Sequence, residues 1–462
     1  MILLHNSTIV TAAKEGTGSV LVEGDTINKV IWKDEDGTAK YDGSFVPYAD
    51  LPEMFKDAEI IDLTGKHLMA GGIDAHVHFR EAGLTHKADM HTESKAAVAG
   101  GVTTVFDMPN TKPATINAEA LADKIKMAEG RSYANIAFHI GASNSNTDEI
   151  CRLIKDGDAS TGLKASDIPG VKVFMGSSTG NMLVDNGSSL EKLFSIKEKP
   201  VLVHCEDEAT IKANLDAAEQ KYGEDIPFEE HDNIRSRQAC IRSSIKALEL
   251  AMKHGTRLVL CHISTKEELN MVRAAKCTNP YIVAETSCNY LWFCNEDYKK
   301  LGSRVKCNPA VKTEQDRVAL REGIESGLID TIGSDHAPHL LSEKDAPYSK
   351  APSGLPSIQQ SLPVLLTIAK QDGIPLTRIA SVFSEKAAEV YKLDRGSIAE
   401  GKKADIVIFD YDKTFTVKAE DQYSKCGWTP YEGEVLNGYI ETVYVNGRTV
   451  LNQGRICDDP QS

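Results

Sequence analysis

The middle of the chain alternates short apolar runs with amphipathic stretches. Apolar runs of this length between turn residues are typical of strands buried on both faces, and the stretches between them have helical periodicity. We predict eight strands, over residues 68–78, 102–107, 135–141, 170–175, 200–205, 257–263, 280–286 and 329–334. Helical patterns such as 118–129 and 236–254 lie between most of them. This alternation is typical of α/β proteins and predicts a (β/α)8 TIM-type barrel over residues 61–394.

Both ends of the chain show a different pattern, in which short strands follow tight Gly-containing turns. Five strands are predicted there, over residues 3–10, 19–23, 26–31, 404–410 and 440–447. The same pattern at both ends is explained most economically by one unit. We therefore predict a small composite β-sandwich domain built from residues 1–60 and 395–462.

Composition narrows the functional classes. The 462 residues carry a net charge of −15, which argues against nucleic-acid binding and against an anionic membrane surface. No apolar run approaches the length of a membrane span, and no basic, apolar leader opens the sequence. The ten cysteines include no Cys-x-x-Cys pair, as is usual in a reducing compartment. We therefore expect a cytoplasmic protein without a nucleic-acid or membrane partner.

Chemically active residues gather where five of the predicted strands end. These residues are His76 and His78 on the first strand, Lys172 on the fourth, His204 on the fifth, His262 on the sixth, and Asp335, His336 and His339 after the eighth. In a (β/α)8 barrel these strand ends form the rim that carries the active site. Residues two apart on a strand point to the same side, so both histidines of the first strand can reach one metal ion.

Each of these residues also has an ordinary structural explanation. A single histidine at a strand end more often makes a hydrogen bond than binds a metal. Lys172 can extend its ammonium to the rim, and Asp335 can cap a helix. All of these explanations would have to hold together for five strand ends to match a metal site by coincidence. We therefore predict one shared metal site.

The ligand set suits two divalent metal ions. A buried lysine favours the neutral amine, which can add CO₂ and form a carbamate. We expect His76, His78 and Asp335 on one ion, His204 and His262 on the other, and the carbamate of Lys172 between them. A hydroxide that bridges the ions would be the nucleophile, and Asp335 would transfer its proton to the leaving nitrogen. Zinc is our first choice, although cobalt and manganese accept the same ligands.

Several motifs carry a family resemblance over most of the chain. They lie at residues 76–83 (HVHFREAG), 107–111 (DMPNT), 171–175 (VKVFM), 335–339 (DHAPH), 396–407 and 429–433 (TPYEG). With these motifs the chain resembles the cyclic amidohydrolases, and most closely the dihydroorotases, which usually have proline in place of Ala82. The segment around Lys172 resembles the carbamate-bearing dihydroorotases and also the hydantoinases.

The resemblance implies an enzyme that reversibly hydrolyses (S)-dihydroorotate to N-carbamoyl-L-aspartate in pyrimidine biosynthesis, and it implies a homodimer. It also implies that Arg80, Asn110 and His339 bind the substrate carboxylate, for which the planar guanidinium is well suited. Asn289 and the backbone around Gly354 would contact the ring. Both asparagines have an alternative explanation as turn-forming residues of polar loops.

Other functions share part of this pattern. A hydantoinase, dihydropyrimidinase or allantoinase would use the same metals but has no substrate carboxylate for Arg80 to bind. A non-catalytic homologue that serves as a scaffold would be expected to have lost ligands, and here all of them are present. The long, charged segment 340–354 is either a lid over the substrate or a tolerated surface insertion.

Overall fold

The computed structural model describes residues 1–176 and 182–457. Its strands are β1 (Ile2–Val10), β2 (Glu15–Glu23), β3 (Thr26–Trp32), β4 (Thr38–Tyr41), β5 (Ser44–Pro47), β6 (Glu59–Asp62), β7 (His67–Ala70), β8 (Gly72–Val77), β9 (Val102–Asp107), β10 (Asn135–Phe138), β11 (Ile140–Gly141), β12 (Val171–Phe174), β13 (Val201–His204), β14 (Leu258–Leu260), β15 (Val283–Thr286), β16 (Thr331–Ile332), β17 (Ile406–Thr416), β18 (Val435–Val445), β19 (Arg448–Asn452) and β20 (Arg455–Ile456). Its α-helices are α1 (Leu51–Met54), α2 (Met90–Ala99), α3 (Ala118–Ala128), α4 (Thr147–Asp156), α5 (Gly187–Phe194), α6 (Glu208–Tyr222), α7 (His231–Ile234), α8 (Arg237–His254), α9 (Lys266–Lys276), α10 (Cys288–Trp292), α11 (Tyr298–Leu301), α12 (Glu314–Glu325), α13 (Leu341–Lys344), α14 (Ser361–Asp372), α15 (Leu376–Ala380) and α16 (Lys386–Tyr391).

The strands of the middle region pair in parallel and in chain order. One sheet joins β8, β9 and β10, and a second joins β11 through β16. Only His139 separates β10 from β11, so these two strands together correspond to the single predicted strand 135–141. A parallel bridge between Val77 and His336 connects the region after β16 to the end of β8. Parallel strands that follow one another in this way, with helices between most of them, are expected for the predicted barrel.

The intervening helices begin and pack as their sequences predict. In α9, the side chain of Thr265 accepts a hydrogen bond from the backbone N–H of Glu268, and the Glu268 side chain interacts with the start of the helix in return. Leu269 and Val272 lie on the buried face of the same helix. Within the two described ranges, no helix is both long and apolar enough to cross a membrane.

The first predicted strand, 68–78, is two strands in two different sheets, and its prediction as one strand was wrong. β7 pairs with β1 and β17, whereas β8 pairs with β9. The change occurs at Gly71, where an added Cβ would lie 2.2 Å from the Cγ2 atom of Thr103. Both strands are apolar and buried, so the hydrophobic pattern does not mark the boundary.

Nine strands from the two chain ends form one continuous sheet in the order β20-β19-β18-β17-β7-β1-β2-β3, with β6 also on β1, while β4 and β5 pair with each other as a separate hairpin. The prediction of a sandwich made of two sheets is therefore corrected to one curled sheet. Thr26 of β3, at one edge of the sheet, forms a bridge with Lys403, just before β17 in the middle of the sheet, and residues from six strands enclose one apolar cluster. An alternating strand pattern predicts a covered face but does not say what covers it. The sheet also extends past the predicted boundary at residue 60, because β7 ends at Ala70.

The curled sheet allows a test of its apolar cluster. Leu68 is fully buried in that cluster, whereas Ile60 in the same sheet is 41% exposed. We expect Leu68→Ala to lower the free energy of unfolding by about 2–5 kcal/mol, because it leaves a cavity. Ile60→Ala is the matched control and should change it by about 0.5 kcal/mol or less. Urea unfolding measures both, and equal losses would contradict a core at Leu68.

Candidate metal centre

Two histidines lie two residues apart at the end of β8. The Nδ1 atom of each ring, which is the outer nitrogen, lies within hydrogen-bond distance of an oxygen acceptor. Nδ1 of His76 lies 2.7 Å from Oε1 of Glu285, and Nδ1 of His78 lies 2.8 Å from Oδ1 of Asn110. Each of these contacts is satisfied by a proton on Nδ1. The lone pair of each neutral imidazole is then on Nε2, which is the atom available to a metal.

Both Nε2 atoms face Asp335. Its Oδ1 atom lies 3.0 Å from Nε2 of His78 and 3.4 Å from Nε2 of His76. Burial alone would raise the pKa of Asp335, but the contact with His78 and the field of His76 hold it well below its ordinary value. Burial lowers the pKa of His76, so extra protons on this cluster are disfavoured. Two lone pairs and a carboxylate converge within 4.8 Å, and this arrangement fits a bound cation.

The second pair of histidines comes from β13 and the end of β14. Nδ1 of His204 lies 2.9 Å from Nε2 of His262, and Nε2 of His204 lies 2.9 Å from Oε2 of Glu206. A hydrogen bond between the two rings would satisfy these atoms without a metal, so this pair alone is a weaker indicator. The position of this pair strengthens the case for a shared metal site, because the ring centroid of His262 lies 5.1 Å from that of His76. The four histidines therefore form one cluster.

Lys172 on β12 lies fully buried beside this cluster. Its Nζ atom is 3.5 Å from Nε2 of His76 and 3.4 Å from Sγ of Cys261. In the described part of the chain, no carboxylate oxygen lies within 4.0 Å of this nitrogen. A buried ammonium without an anionic partner is unfavourable. Lys172 lies close enough to His76 to belong to the same site as the histidines.

Carboxylates behind the ligands were missed by the sequence analysis. Glu285 is buried in β15 and contacts both His76 and, at 3.4 Å, the backbone N–H of His262. Burial raises the pKa of Glu285 to about 7. Burial would likewise raise that of Glu206, but the guanidinium of Arg235 and the contact with His204 hold its pKa at about 2. The available signal was a glutamate within an otherwise apolar strand, since such residues are rarely buried unless paired.

The residues predicted to bind a carboxylate lie beside the histidine cluster. Arg80 is buried; its Nε atom donates to the carbonyl oxygen of Pro338 at 3.1 Å, and its guanidinium lies 3.0 Å from Nε2 of His339. Nζ of Lys87 lies 3.0 Å from the other ring nitrogen of His339. Burial and the nearby Arg80 lower the pKa of His339, so its ring is neutral. Two cations therefore flank one neutral ring, and among the described residues only Glu343 forms an ion pair with either of them, with Lys87 at 2.9 Å.

The other three predicted substrate contacts are placed differently. Gly354 lies next to His339, because an added Cβ would approach Cδ2 of that ring to 3.0 Å. Asn110 contacts His78 in this arrangement. Asn289 is buried; its Oδ1 accepts from the hydroxyl of Tyr431 at 3.0 Å, and its Nδ2 donates to the backbone oxygen of Ser334. The structure thus brings Gly354 to the predicted carboxylate site, whereas the amide of Asn289 already has protein partners.

The segment between His339 and Gly354 has regular structure and buried anchors. It contains α13, and the fully buried ammonium of Lys344 donates to the carbonyl oxygens of Pro352 and Gly354 at 2.9 and 3.1 Å. Burial lowers the pKa of Lys344 to about 7. The segment therefore contains a short helix, and its role as a lid over the substrate stays a prediction. The charged residues suggested an exposed loop, but Lys344 points inward and fixes the backbone at Gly354.

A segment from the C-terminal region completes the rim. The indole N–H of Trp428 donates to the carbonyl oxygen of His339 at 2.7 Å, and Tyr431 contacts Asn289. His336, which the sequence placed at the same rim, is turned away from the cluster and lies 2.7 Å from Glu93. Trp428 and Tyr431, in and just before the 429–433 motif, therefore support the predicted substrate-binding residues His339 and Asn289.

Comparisons with known proteins agree with this geometry. Residues 67–450 match the model of the Amidohydrolase family. A dihydroorotase of Methanosarcina acetivorans is 34% identical over 386 residues, which cover 81% of this chain and 79% of that protein. A dihydroorotase of Listeria innocua is 32% identical over 442 residues, or 94% and 99% of the two chains. The solved structure of an L-hydantoinase (dihydropyrimidinase) from Arthrobacter aurescens has a TM-score of 0.88 at 25% identity, over 99% of this chain and 97% of that one.

The contact between Glu285 and His76 can be tested through metal retention. We expect Glu285→Leu to weaken metal binding about 10–100-fold, because it frees the ring that the carboxylate orients. Glu285→Gln keeps an acceptor for Nδ1 and should lose less. Glu268→Gln alters a buried glutamate that caps α9 and is the matched control. Metal content after dialysis against a graded chelator series is the measurement. Tight retention in Glu285→Leu would show that the contact is not needed.

Proposed function

This chain belongs to the amidohydrolase family, and we propose that it is a dihydroorotase that reversibly hydrolyses dihydroorotate to N-carbamoyl-aspartate. The observation that carries the proposal is the buried Arg80 beside His339, next to the histidine cluster. A buried guanidinium without an anion is costly, and the substrate carboxylate supplies that anion. The dihydroorotase names of relatives at 34% and 32% identity support the same reaction.

The proposal includes a barrel closed between its last and first strands, for which the parallel bridge of Val77 with His336 is the support. It also includes the domain division at residues 60 and 395, with the sheet boundary moved to residue 70. The homodimer implied by the family resemblance stays a prediction, and sedimentation of the purified protein tests it.

Two divalent metals, with zinc as first choice, would be held by the four clustered histidines, Lys172 as a carbamate, and Asp335. The convergence of His76, His78 and Asp335 within 4.8 Å supports the first site, and the facing nitrogens of His204 and His262 support the second. When bound, the metals supply an acidified water and polarise the scissile carbonyl.

The chain's own residues would bind the substrate and move its protons. Arg80 donates in a fork to the substrate carboxylate, and Asn110 and His339 complete its hydrogen bonds. Asp335, a carboxylate in this environment, accepts the proton of the attacking water and returns it to the ring nitrogen that leaves. The backbone at Gly354, fixed by Lys344, contacts the ring.

A hydantoinase activity is the second candidate, because the L-hydantoinase structure superposes over nearly the whole chain. Its substrates are rings without the carboxylate of dihydroorotate, so Arg80 and Lys87 would keep their excess positive charge when such a ring is bound. Rates on dihydroorotate and hydantoin, measured side by side, separate the two candidates.

Arg80→Met tests the carboxylate site. Charge-assisted hydrogen bonds contribute roughly 1.5–3 kcal/mol each, so kcat/KM for dihydroorotate should fall about tenfold to a hundredfold or more. Any activity on uncharged hydantoin should fall much less. Arg321→Met removes an arginine that pairs with Asp372 instead and serves as the control. Equal losses on both substrates would mean that Arg80 supports the metal centre rather than substrate recognition.

Lys172→Ala tests the carbamate. We expect loss of bound metal and of activity, and partial recovery of both when a short carboxylic acid is added, since the acid replaces the missing carboxylate. Lys312→Ala removes a buried lysine that donates to backbone carbonyls and is the matched control. In the parent enzyme, ¹³CO₂ should give a carbamate signal by NMR that Lys172→Ala lacks. A metallated, active enzyme without that signal would refute the carbamate.

A further inference from the structure

A cavity of about 700 Å³ lies at the amino-terminal ends of β13, β14 and β15, opposite the histidine cluster. Pro200, Arg257 and Ile282, which line it, each come directly before one of these strands. Small-molecule sites in proteins occupy about 300–1,000 Å³, so the cavity has the size of a ligand site. The cavity is separate from the proposed catalytic rim. β13 begins beside the cavity and ends at the rim with His204.

The residues that line this cavity carry a net positive charge, whereas the whole chain carries a net negative charge. The chain carries −15, yet the lining contains five cationic side chains against two carboxylates. Both carboxylates are already paired, Asp330 with Lys276 at 2.6 Å and Glu389 with Lys386 at 2.7 Å. A cleft lined by one sign of charge concentrates ions of the other sign.

Three cations of the lining have no such partner. Lys197, Arg257 and Lys392 lie more than 4.0 Å from every carboxylate oxygen in residues 1–176 and 182–457. The nearest acidic neighbour in sequence, Glu198, accepts from the backbone N–H of Lys197 instead. Burial, and then the nearby Arg257 and Lys392, lower the pKa of the adjoining Lys199, so these cations act on one another.

The guanidinium of Arg257 is held in place by the protein. It donates to the carbonyl oxygens of Val390 and, at 3.3 Å, Glu198. These contacts join the start of β14 to the end of α16 without neutralising the charge. The wall beside it includes the partly exposed apolar residues Val283 and Val390, and Tyr281 is 61% exposed at the edge. Fixed positive charge thus stands next to an apolar wall and an available aromatic face.

We propose that this cavity binds a phosphorylated ring compound of nucleotide size. The phosphate lies among Lys197, Arg257 and Lys392, and the ring packs against Tyr281 and the apolar wall. A phosphate matches the guanidinium fork and offers enough charge for several cations. None of these residues has a role in the proposed catalytic site.

Calorimetric titration of the metal-loaded enzyme tests this site with adenosine monophosphate, adenosine and inorganic phosphate as probes. The nucleotide should bind roughly tenfold or more tightly than either part alone, because it uses both the charged edge and the apolar wall. Binding should weaken as ionic strength rises. It should persist when substrate and product saturate the rim, and displacement by them would place the nucleotide at the metals and overturn the proposal.

Three variants, one of them a control, locate the binding. Arg257→Met with Lys392→Met should weaken nucleotide binding roughly tenfold or more and leave turnover unchanged. Lys300→Met with Arg304→Met removes the same charge from and beside α11 and is the matched control. Tyr281→Ala changes an exposed side chain, so the fold is retained; it should weaken nucleotide binding but not phosphate binding. Unchanged nucleotide affinity in the first and third variants, or equal binding of adenosine, would overturn the proposal.

Discussion

The site depends on where the protons of its buried histidines are held. Glu285 and Asn110 accept from the outer nitrogens of His76 and His78, so the inner nitrogens carry lone pairs that face Asp335. Buried polar atoms need partners, and here the partner that satisfies several of them at once is a cation. The outer carboxylates are therefore as much a part of the site as the ligands. The contact with His76 also explains why β15 contains the buried Glu285.

The rim is held together by contacts between distant parts of the chain. Lys344 binds the backbone of Gly354, Trp428 binds the backbone of His339, and Glu93 contacts His336. Each contact uses a buried polar group that would be unfavourable if it were left alone. Loops at a barrel rim are otherwise the most mobile part of such a fold. The predicted substrate contacts are consequently fixed before a ligand arrives. This favours binding, because less conformational entropy is lost when the ligand binds.

The sequence was informative where a pattern has local causes. Strand 102–107 was predicted with its observed bounds, because a strand buried on both faces is continuously apolar. The clustering of four histidines was predicted because the carboxyl ends of parallel strands lie at the same rim of a barrel. Contacts between residues far apart in sequence could not be predicted in this way. Glu285 was missed because its role depends on His76, 209 residues away. The inward direction of Lys344 was missed because a lysine in a charged segment is normally exposed.

The terminal sheet and the metal site share one continuous stretch of backbone. The N–H of Gly71 donates to Asp405 of the C-terminal region at 3.0 Å, and the N–H of Gly72 donates to Gly101 before β9 at 2.8 Å. Within one residue the chain thus passes from the terminal sheet to the parallel strands. The strand that begins at Gly72 carries His76 as its fifth residue, so the position of this predicted ligand is set by pairing on both sides of Gly71. The terminal sheet therefore anchors the strand of the first predicted ligand, and a family model that begins at residue 67 and ends at residue 450 includes both parts.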